Sequence, residues 1–145
     1  MPRNKPDNKN SYYPKANRRN IHISVQRFYD CDPEGNQVGS ERRALSVSVP
    51  VMVRHHRERP GPEGLEVGRV RPGSLDLALN ILVDLYPPGT DGEEPRRCRV
   101  NFVSATAYRL HGSFCAKFLA PMDPDGGRLE VEKIHRWVES NPRST

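Results

Sequence analysis

Two segments in the first third of the chain alternate between apolar and polar residues, the pattern of a β-strand that buries one face. The first covers residues 21–29, and the second carries a leucine or valine at every second position from 45 to 53. A turn at residues 32–36 separates them, so we predict that the two strands pair antiparallel. Because Pro50 cannot donate a ladder hydrogen bond, we place the second strand at a sheet edge or at a bulge.

A short third strand is predicted at residues 65–67, followed by the most apolar helix of the chain at residues 75–86, for which Ser74 is a good N-cap. The polar residues of this helix are spaced by four and form one narrow stripe: Asp76, Asn80 and Asp84. A helix that is apolar on nearly every other side packs on two faces, so we expect it at the centre of the core. We expect its two carboxylates to face water.

The second half of the chain predicts two more helices. After a loop at residues 90–99, Ser104 is a suitable N-cap for a helix that runs to about residue 120. A turn is predicted at residues 121–127, and a last amphipathic helix at residues 130–140. This last helix presents three apolar side chains to the core: Ile134, Trp137 and Val138.

Together these elements predict an α+β fold in which a small antiparallel sheet of two to four strands packs on about three helices. We expect a single α+β domain at residues 21–140, a disordered basic arm at residues 1–20 and a frayed tail at residues 141–145. The arm holds three prolines and no apolar alternation. A segment that buries so little apolar surface cannot offset the entropy lost on ordering.

Positive charge is concentrated in the first part of the chain. The formal net charge is +5, yet residues 1–59 hold twelve of the 23 Lys and Arg and only six of the 18 Asp and Glu. Such an asymmetry points to an acidic partner, which could be nucleic acid, an acidic protein face or anionic lipid. A solvated basic tail that aids solubility is the alternative, and the sequence does not separate the two.

Two groups of residues are candidates for contact with nucleic acid or another acidic partner. Interleaved basic and tyrosine side chains in the arm are suited to hold phosphates while stacking on bases: Arg3, Lys5, Lys9, Tyr12, Tyr13, Lys15, Arg18 and Arg19. Arginines in the loops of the domain would extend this surface if the loops gather at one end: Arg54, Arg57, Arg59, Arg69, Arg71, Arg96, Arg97 and Arg99. Scattered solvated charge is the alternative for both groups.

The remaining polar residues do not form a motif for catalysis or metal binding. His55 and His56 are adjacent, and neighbouring histidines rarely converge on one metal, while His111 and His135 have no partner at a metal-ligand spacing. We therefore expect no catalytic residues, no metal and no cofactor. Residues 68–74 could hold an anion, because this turn enters a helix N-terminus and carries two arginines. We favour the alternative that its two glycines only shape a tight connection.

Membrane and export signals are lacking in the sequence. No apolar run approaches the ~20 residues that span a bilayer, and the N-terminus has no signal-peptide pattern. The three cysteines, at positions 31, 98 and 115, are odd in number and widely spaced, which fits reduced thiols. These observations predict a soluble, cytoplasmic protein with Cys115 in its core.

Residues 65–82, LEVGRVRPGSLDLALNIL, resemble a family of small uncharacterised bacterial and phage proteins that is catalogued as a domain of unknown function. The resemblance continues through residues 108–121 and ends at residues 134–138. It covers roughly residues 45–139, and the turn at residues 69–72 is poorer in glycine than the family pattern and lacks its aromatic residue. The resemblance implies no established activity, but the occurrence of the family in phages and mobile elements favours a small accessory protein.

The first functional hypothesis is a non-enzymatic accessory binding protein of phage or mobile-element origin. Its basic arm and loop arginines would engage nucleic acid or a nucleic-acid-handling machine. The alternative is a protein-directed inhibitor of a host complex such as RNA polymerase or a defence nuclease. A third hypothesis is an enzyme that acts on a phosphorylated substrate at the turn formed by residues 68–74.

Overall fold

The computed structural model describes residues 21–29, 31–38, 45–59 and 61–142, so the predicted arm lies outside the described residues. The elements follow the chain in the order β1 (His22–Arg27), β2 (Leu45–Val47), α1 (Pro72–Leu85), β3 (Arg96–Cys98), β4 (Asn101–Val103), α2 (Ala105–Phe114), β5 (Gly126–Glu130) and α3 (Val131–Glu139). These helices and small antiparallel sheets confirm the predicted α+β class.

The larger sheet has the strand order β2-β1-β5. Strand β1 pairs antiparallel with β2, Val25 opposite Val47, which confirms the predicted pairing. The second strand is shorter than the alternation suggested, because only Leu45–Val47 forms a ladder. Val49 and Val53 are nevertheless buried, so beyond Val47 the alternation reflects burial of the segment and not strand pairing.

Strand β5 lies on the other side of β1, and the sequence predicted no strand there: residues 126 and 127 fall in the predicted turn and residue 130 at the predicted start of the last helix. Gly126 stands opposite Gln26, and a Cβ atom at this glycine would lie 2.1 Å from the carbonyl oxygen of Val25. Its φ of 120° is also one that other residues rarely adopt. Turn-like glycines therefore allow close strand pairing here, and the turn prediction was wrong for residues 126 and 127.

Helix α1 is the centre of the core, as predicted. Its apolar side chains are fully buried on both sides of the polar stripe: Leu77, Ala78, Leu79, Ile81, Leu82 and Leu85. The expected N-cap was wrong, since the helix begins at Pro72 with Arg71 as N-cap. Ser74 lies within the first turn, where its Oγ accepts the Arg71 N–H at 2.8 Å and therefore still stabilises the helix start.

Helix α2 begins as predicted, because the Ser104 Oγ accepts the Ala107 N–H at 3.1 Å. The chain continues from α2 into a π-helical turn at Cys115–Leu119. Cys115 is buried, as expected for a core residue. The rings of Phe114 and Phe118 pack against Trp137 of α3 at centroid distances of 5.9 and 5.6 Å, so the last helix joins the core through aromatic contacts.

Two loop regions differ from the sequence-based expectation. Residues 65–67 form no strand, although Leu65 and Val67 are buried. In contrast, the loop predicted at residues 90–99 contains β3, which pairs with β4 as a two-stranded hairpin. Because β3 begins with two adjacent arginines, it lacks the apolar alternation from which a strand is predicted.

Candidate nucleic-acid interface

The β3–β4 hairpin projects a basic and apolar outer face. Arg97 stands directly opposite Phe102 in the ladder, and both are exposed, with 56% of the Phe102 surface accessible. Cys98 and Val103, on the other face, are buried. Val100 in the connecting turn is 77% exposed, so the tip carries apolar surface as well as charge.

Both arginines of β3 lie over aromatic rings. The guanidinium carbon of Arg97 is 5.7 Å from the ring centroid of Phe102, its cross-strand neighbour. The guanidinium carbon of Arg96 is 4.3 Å from the ring centroid of Tyr108, in the second turn of α2. Such contacts restrict the guanidinium groups while leaving their charge intact. The hairpin therefore presents two positioned cations.

Arg99 joins this hairpin to the loop at residues 52–59, which we name the His loop. Arg99 has a backbone φ of 57°, a conformation that residues other than glycine and asparagine seldom adopt. From this position its Nε donates to the carbonyl oxygen of His55 at 3.2 Å. The turn residue therefore links the two basic segments, and Arg54 adds a further positive charge from the His loop.

Two buried side chains of α1 hold the His loop. Asn80 Oδ1 accepts the N–H groups of Met52 and Val53 at 2.7 and 2.8 Å, and its Nδ2 donates to the Val53 carbonyl at 2.8 Å. Asp76 Oδ1 accepts the N–H groups of His55 and His56 at 3.1 and 2.9 Å. The partly buried backbone of this loop has no sheet partner, so its N–H groups need such acceptors.

The expectation that Asp76 faces water was therefore wrong, since its accessible surface is 0%. The polar stripe of α1 is turned toward the His loop at Asp76 and Asn80. Arg57 was a candidate for phosphate contact, but it is only 8% exposed and its Nε donates to Asp76 Oδ2 at 2.9 Å. A buried carboxylate requires such a partner. Arg57 is thus a structural residue of the His loop.

His56 and His111 meet beside the hairpin, a contact that sequence analysis missed. Their Nε2 atoms lie 2.9 Å apart, and His111 Nδ1 is 2.7 Å from the carbonyl oxygen of Tyr108. Burial lowers the pKa of His111 below its ordinary value. Burial and then the neighbouring His111 lower the pKa of His56. Both rings are consequently neutral at neutral pH.

The two imidazole rings meet head to head. Their centroids lie 5.1 Å apart, close to the 2.9 Å nitrogen separation plus one ring radius at each end. The nitrogens therefore point at each other as in a hydrogen bond, and not at a common third point as metal ligands do. Within the described ranges, no group of three or more His, Cys, Asp or Glu side chains could hold a metal ion.

Other arginines named from the sequence have carboxylates close by. Arg69 pairs with Glu66 at 3.2 Å, and Arg71 approaches the same carboxylate at 4.0 Å. Arg59 is exposed and lines an open groove of 570 Å³ at the start of α1, where Glu58, Glu63 and Glu66 balance the positive charge. These arginines thus have carboxylates beside them.

The turn at residues 68–74 has a structural reason for its second glycine. A Cβ atom at Gly73 would lie 1.9 Å from the carbonyl oxygen of Gly64, so only glycine fits where the two segments cross. This close approach accounts for Gly73 without an anion.

The aromatic residues of the site were visible in the sequence but carried no distinguishing signal. Phe102 lies just before the predicted Ser104 cap, and Tyr108 and His111 lie within the helix that is predicted after it. Their role depends on the β3–β4 hairpin, which the sequence did not predict. The other candidates, in the arm, lie outside the described residues.

Comparison of the chain with protein-family models, curated proteins and solved structures gave no match. The resemblance to the bacterial and phage family therefore stays a prediction. None of the helices in the described ranges has both the length and the apolar character needed to cross a membrane.

Proposed function

We propose that this protein is a non-enzymatic accessory protein that binds single-stranded nucleic acid through the β3–β4 hairpin and its basic arm. The observation that carries the proposal is the Arg97–Phe102 pair on the outer face of the hairpin. A phage or mobile-element origin remains part of the proposal, in keeping with the family that the sequence resembles.

The chemistry of the hairpin favours a nucleic acid as partner. Proteins that bind single strands combine positive groups that follow the phosphates with exposed aromatic rings on which bases stack. Here Arg96, Arg97 and Arg99 supply the charge, and Phe102 supplies a ring that is 56% exposed. Duplex bases keep their faces stacked inside the helix, so an exposed ring of this kind favours an unpaired strand.

The charge of the hairpin is available to a ligand. Among residues that the structure describes, carboxylates pair with Arg57, Arg69 and Arg71, whereas no ion pair forms at Arg96, Arg97 or Arg99. Positive groups without a local counter-charge attract polyanions most strongly. The three hairpin arginines are consequently the residues that we assign to phosphate contact.

Oligonucleotide binding by hairpin variants tests this proposal. We expect F102A to weaken binding of a labelled single-stranded oligonucleotide by at least about fivefold, because stacking contributes roughly 1–3 kcal/mol per base. Fluorescence anisotropy measures the change. The matched control is F28A, which removes another exposed aromatic ring, 51% accessible and located just beyond β1. Equal affinities for the two variants would contradict the assignment of the surface.

Deletion of residues 1–20 tests the contribution of the arm. The deleted segment holds six Lys and Arg against one acid, so we expect weaker binding and a shallower salt dependence. If the full chain binds no nucleic acid and a nuclease-treated lysate yields one retained host protein, the proposal fails. The inhibitor hypothesis then takes its place.

A further inference from the structure

The proton positions in the His56–His111 contact follow from its geometry. His111 Nδ1 lies 2.7 Å from the Tyr108 carbonyl oxygen, which can only accept, so this nitrogen carries a proton. The Nε2 of neutral His111 is then an acceptor, and His56 Nε2, at 2.9 Å, must donate to it. The two neutral rings are therefore in opposite tautomers, Nδ1–H in His111 and Nε2–H in His56.

A first added proton leaves this contact intact. In neutral His56 the unprotonated nitrogen is Nδ1, which does not take part in the contact with His111. Protonation of Nδ1 gives an imidazolium whose Nε2–H still donates to His111 Nε2. The hydrogen bond becomes charge-assisted and therefore stronger.

A second proton breaks the contact. The only unprotonated nitrogen left in the pair is His111 Nε2, because His111 Nδ1 already donates to Tyr108. Once it is protonated, two N–H groups and two positive charges face each other across 2.9 Å. No acceptor remains between them, so the rings must separate.

Groups on each neighbouring element bias these two steps. Asp76 of α1 favours the charged form of both rings, although it also pairs with Arg57. His55 disfavours the charged form of both rings, and Arg99 of the hairpin disfavours that of His56. From α2, the Tyr108 ring lies 5.7 Å from the His111 ring between centroids, and the guanidinium carbon of Arg96 lies 4.3 Å from the Tyr108 ring centroid.

We propose that the His56–His111 contact is a proton-operated latch between the His loop and α2, closed through the first protonation and open after the second. The effect of this latch on ligand affinity rests on the proposed function. The His55 carbonyl in the same loop accepts from Arg99 of the hairpin at 3.2 Å. The first proton strengthens the contact and adds a positive charge, so affinity for a single strand rises. The second proton opens the latch and disturbs this support of the hairpin, so affinity then falls.

Imidazole nitrogen NMR on the full chain tests the latch directly. Long-range ¹H–¹⁵N spectra are recorded from about pH 8 to about pH 5, the range in which histidine changes charge. We expect opposite tautomers at the alkaline end and two coupled titration steps below the ordinary histidine value. We also expect the backbone signals of residues 55–57 to shift mainly at the second step. Identical tautomers, or two independent titrations, overturn the proposal.

Two glutamine variants sharpen this test. In H111Q the coupled partner is gone, so His56 titrates in a single step that is uncoupled from any second proton. H135Q is the matched control, because His135 contacts Tyr86 at the C-terminal end of α1, whereas the His loop is held by Asp76 near its N-terminal end; the loss of His135 leaves both steps unchanged. A His56 titration that is the same in H111Q and in the unmodified protein overturns the latch. Should H111Q fail to fold, H56Q gives the reciprocal measurement on His111.

Oligonucleotide affinity over the same pH range separates the latch from the proposed function. A maximum at intermediate pH in the unmodified protein, flattened in H111Q and kept in H135Q, supports both. Two-step titration without binding at any pH leaves the latch and removes the nucleic-acid function. Binding with a monotonic pH dependence that is the same in H111Q removes the regulatory consequence.

Discussion

Asp76 shows how one side chain can organise a whole segment. Its two oxygens accept the N–H groups of His55 and His56 and the Nε of Arg57, and none of its surface is exposed. Arg57 is held in turn, since its Nη1 donates to the Glu63 carbonyl. A buried carboxylate with this many partners fixes the loop geometry, and the loss of either charge leaves the other one buried and unpaired.

The variant D76A measures this organising role. We expect it to lower the free energy of unfolding by about 3–5 kcal/mol, because the charge of Arg57 stays buried without its partner. Urea denaturation followed by circular dichroism gives the value. D84A is the matched control, since Asp84 lies on the same helix but is partly exposed. A D76A protein as stable as D84A would contradict the central place of this carboxylate.

At the scale of elements, close approach of backbones determines where glycine is required. Gly73 lies where α1 begins, and a Cβ atom there would meet the Gly64 carbonyl oxygen at 1.9 Å. Gly112 lies within α2, and a Cβ atom there would have no neighbour within 4 Å. The same residue type thus has opposite roles in two helices.

Alanine at these two positions gives opposite expected results. G73A destabilises the protein by about 1–3 kcal/mol, because backbone segments must separate to make room. G112A stabilises it by about 0.5–1 kcal/mol, because alanine in a helix loses less conformational entropy on folding. Thermal unfolding of the two variants, compared with the unmodified protein, measures both effects. Stabilisation in both would show that α1 and residue 64 are less closely packed than described, and destabilisation in both would contradict the open surroundings of Gly112.

The sequence predicted those elements whose local pattern and tertiary role agree. The apolar run in α1, the Ser104 cap of α2 and the alternation in β1 and β2 are of this kind. The sequence-based prediction failed where tertiary contacts determine the secondary structure. Strand β5 depends on glycines that let β1 approach, and β3 is formed by arginines that stack on rings elsewhere in the chain. The histidine pair could not be predicted, because 55 positions separate its members.

For the whole molecule, the histidine pair makes stability depend on pH. The pKa values of His56 and His111 are lowered in the folded state, mainly by burial, whereas in the unfolded chain they return to about 6.5. Between these values the unfolded chain binds more protons than the folded one, so stability rises with pH. The contribution of the pair is complete above about pH 6.5 and is lost as the pH falls toward the folded-state values.

Denaturation curves at a series of pH values test this dependence. We expect the free energy of unfolding to decrease as the pH is lowered below about 6.5, and the decrease to be smaller in the double variant H56Q/H111Q. Guanidinium or urea midpoints provide the measurement. Parallel profiles for the two proteins would mean that other groups cause the acid sensitivity.

The distribution of charge over the molecule decides between a ligand-binding surface and a merely solvated one. The arginines at the start of α1 share their surroundings with three glutamates, whereas the hairpin arginines are positioned by rings and backbone oxygens. This contrast provides an internal control, because the same number of arginines can be neutralised at the hairpin or at the start of α1. If positive charge alone determined binding, replacing arginines at the hairpin and at the start of α1 would weaken single-strand binding equally.

The salt dependence of single-strand binding is the most direct measurement of this contrast. The triple variant R96Q/R97Q/R99N is compared with R59Q/R69Q/R71Q, at the start of α1, and with the unmodified protein over a range of salt concentrations. We predict that the hairpin variant loses about 0.7 in the slope of log K against log salt for each phosphate contact removed, while the other triple variant keeps the slope of the unmodified protein. Equal losses of slope in both triple variants would contradict the assignment of the hairpin as the binding surface.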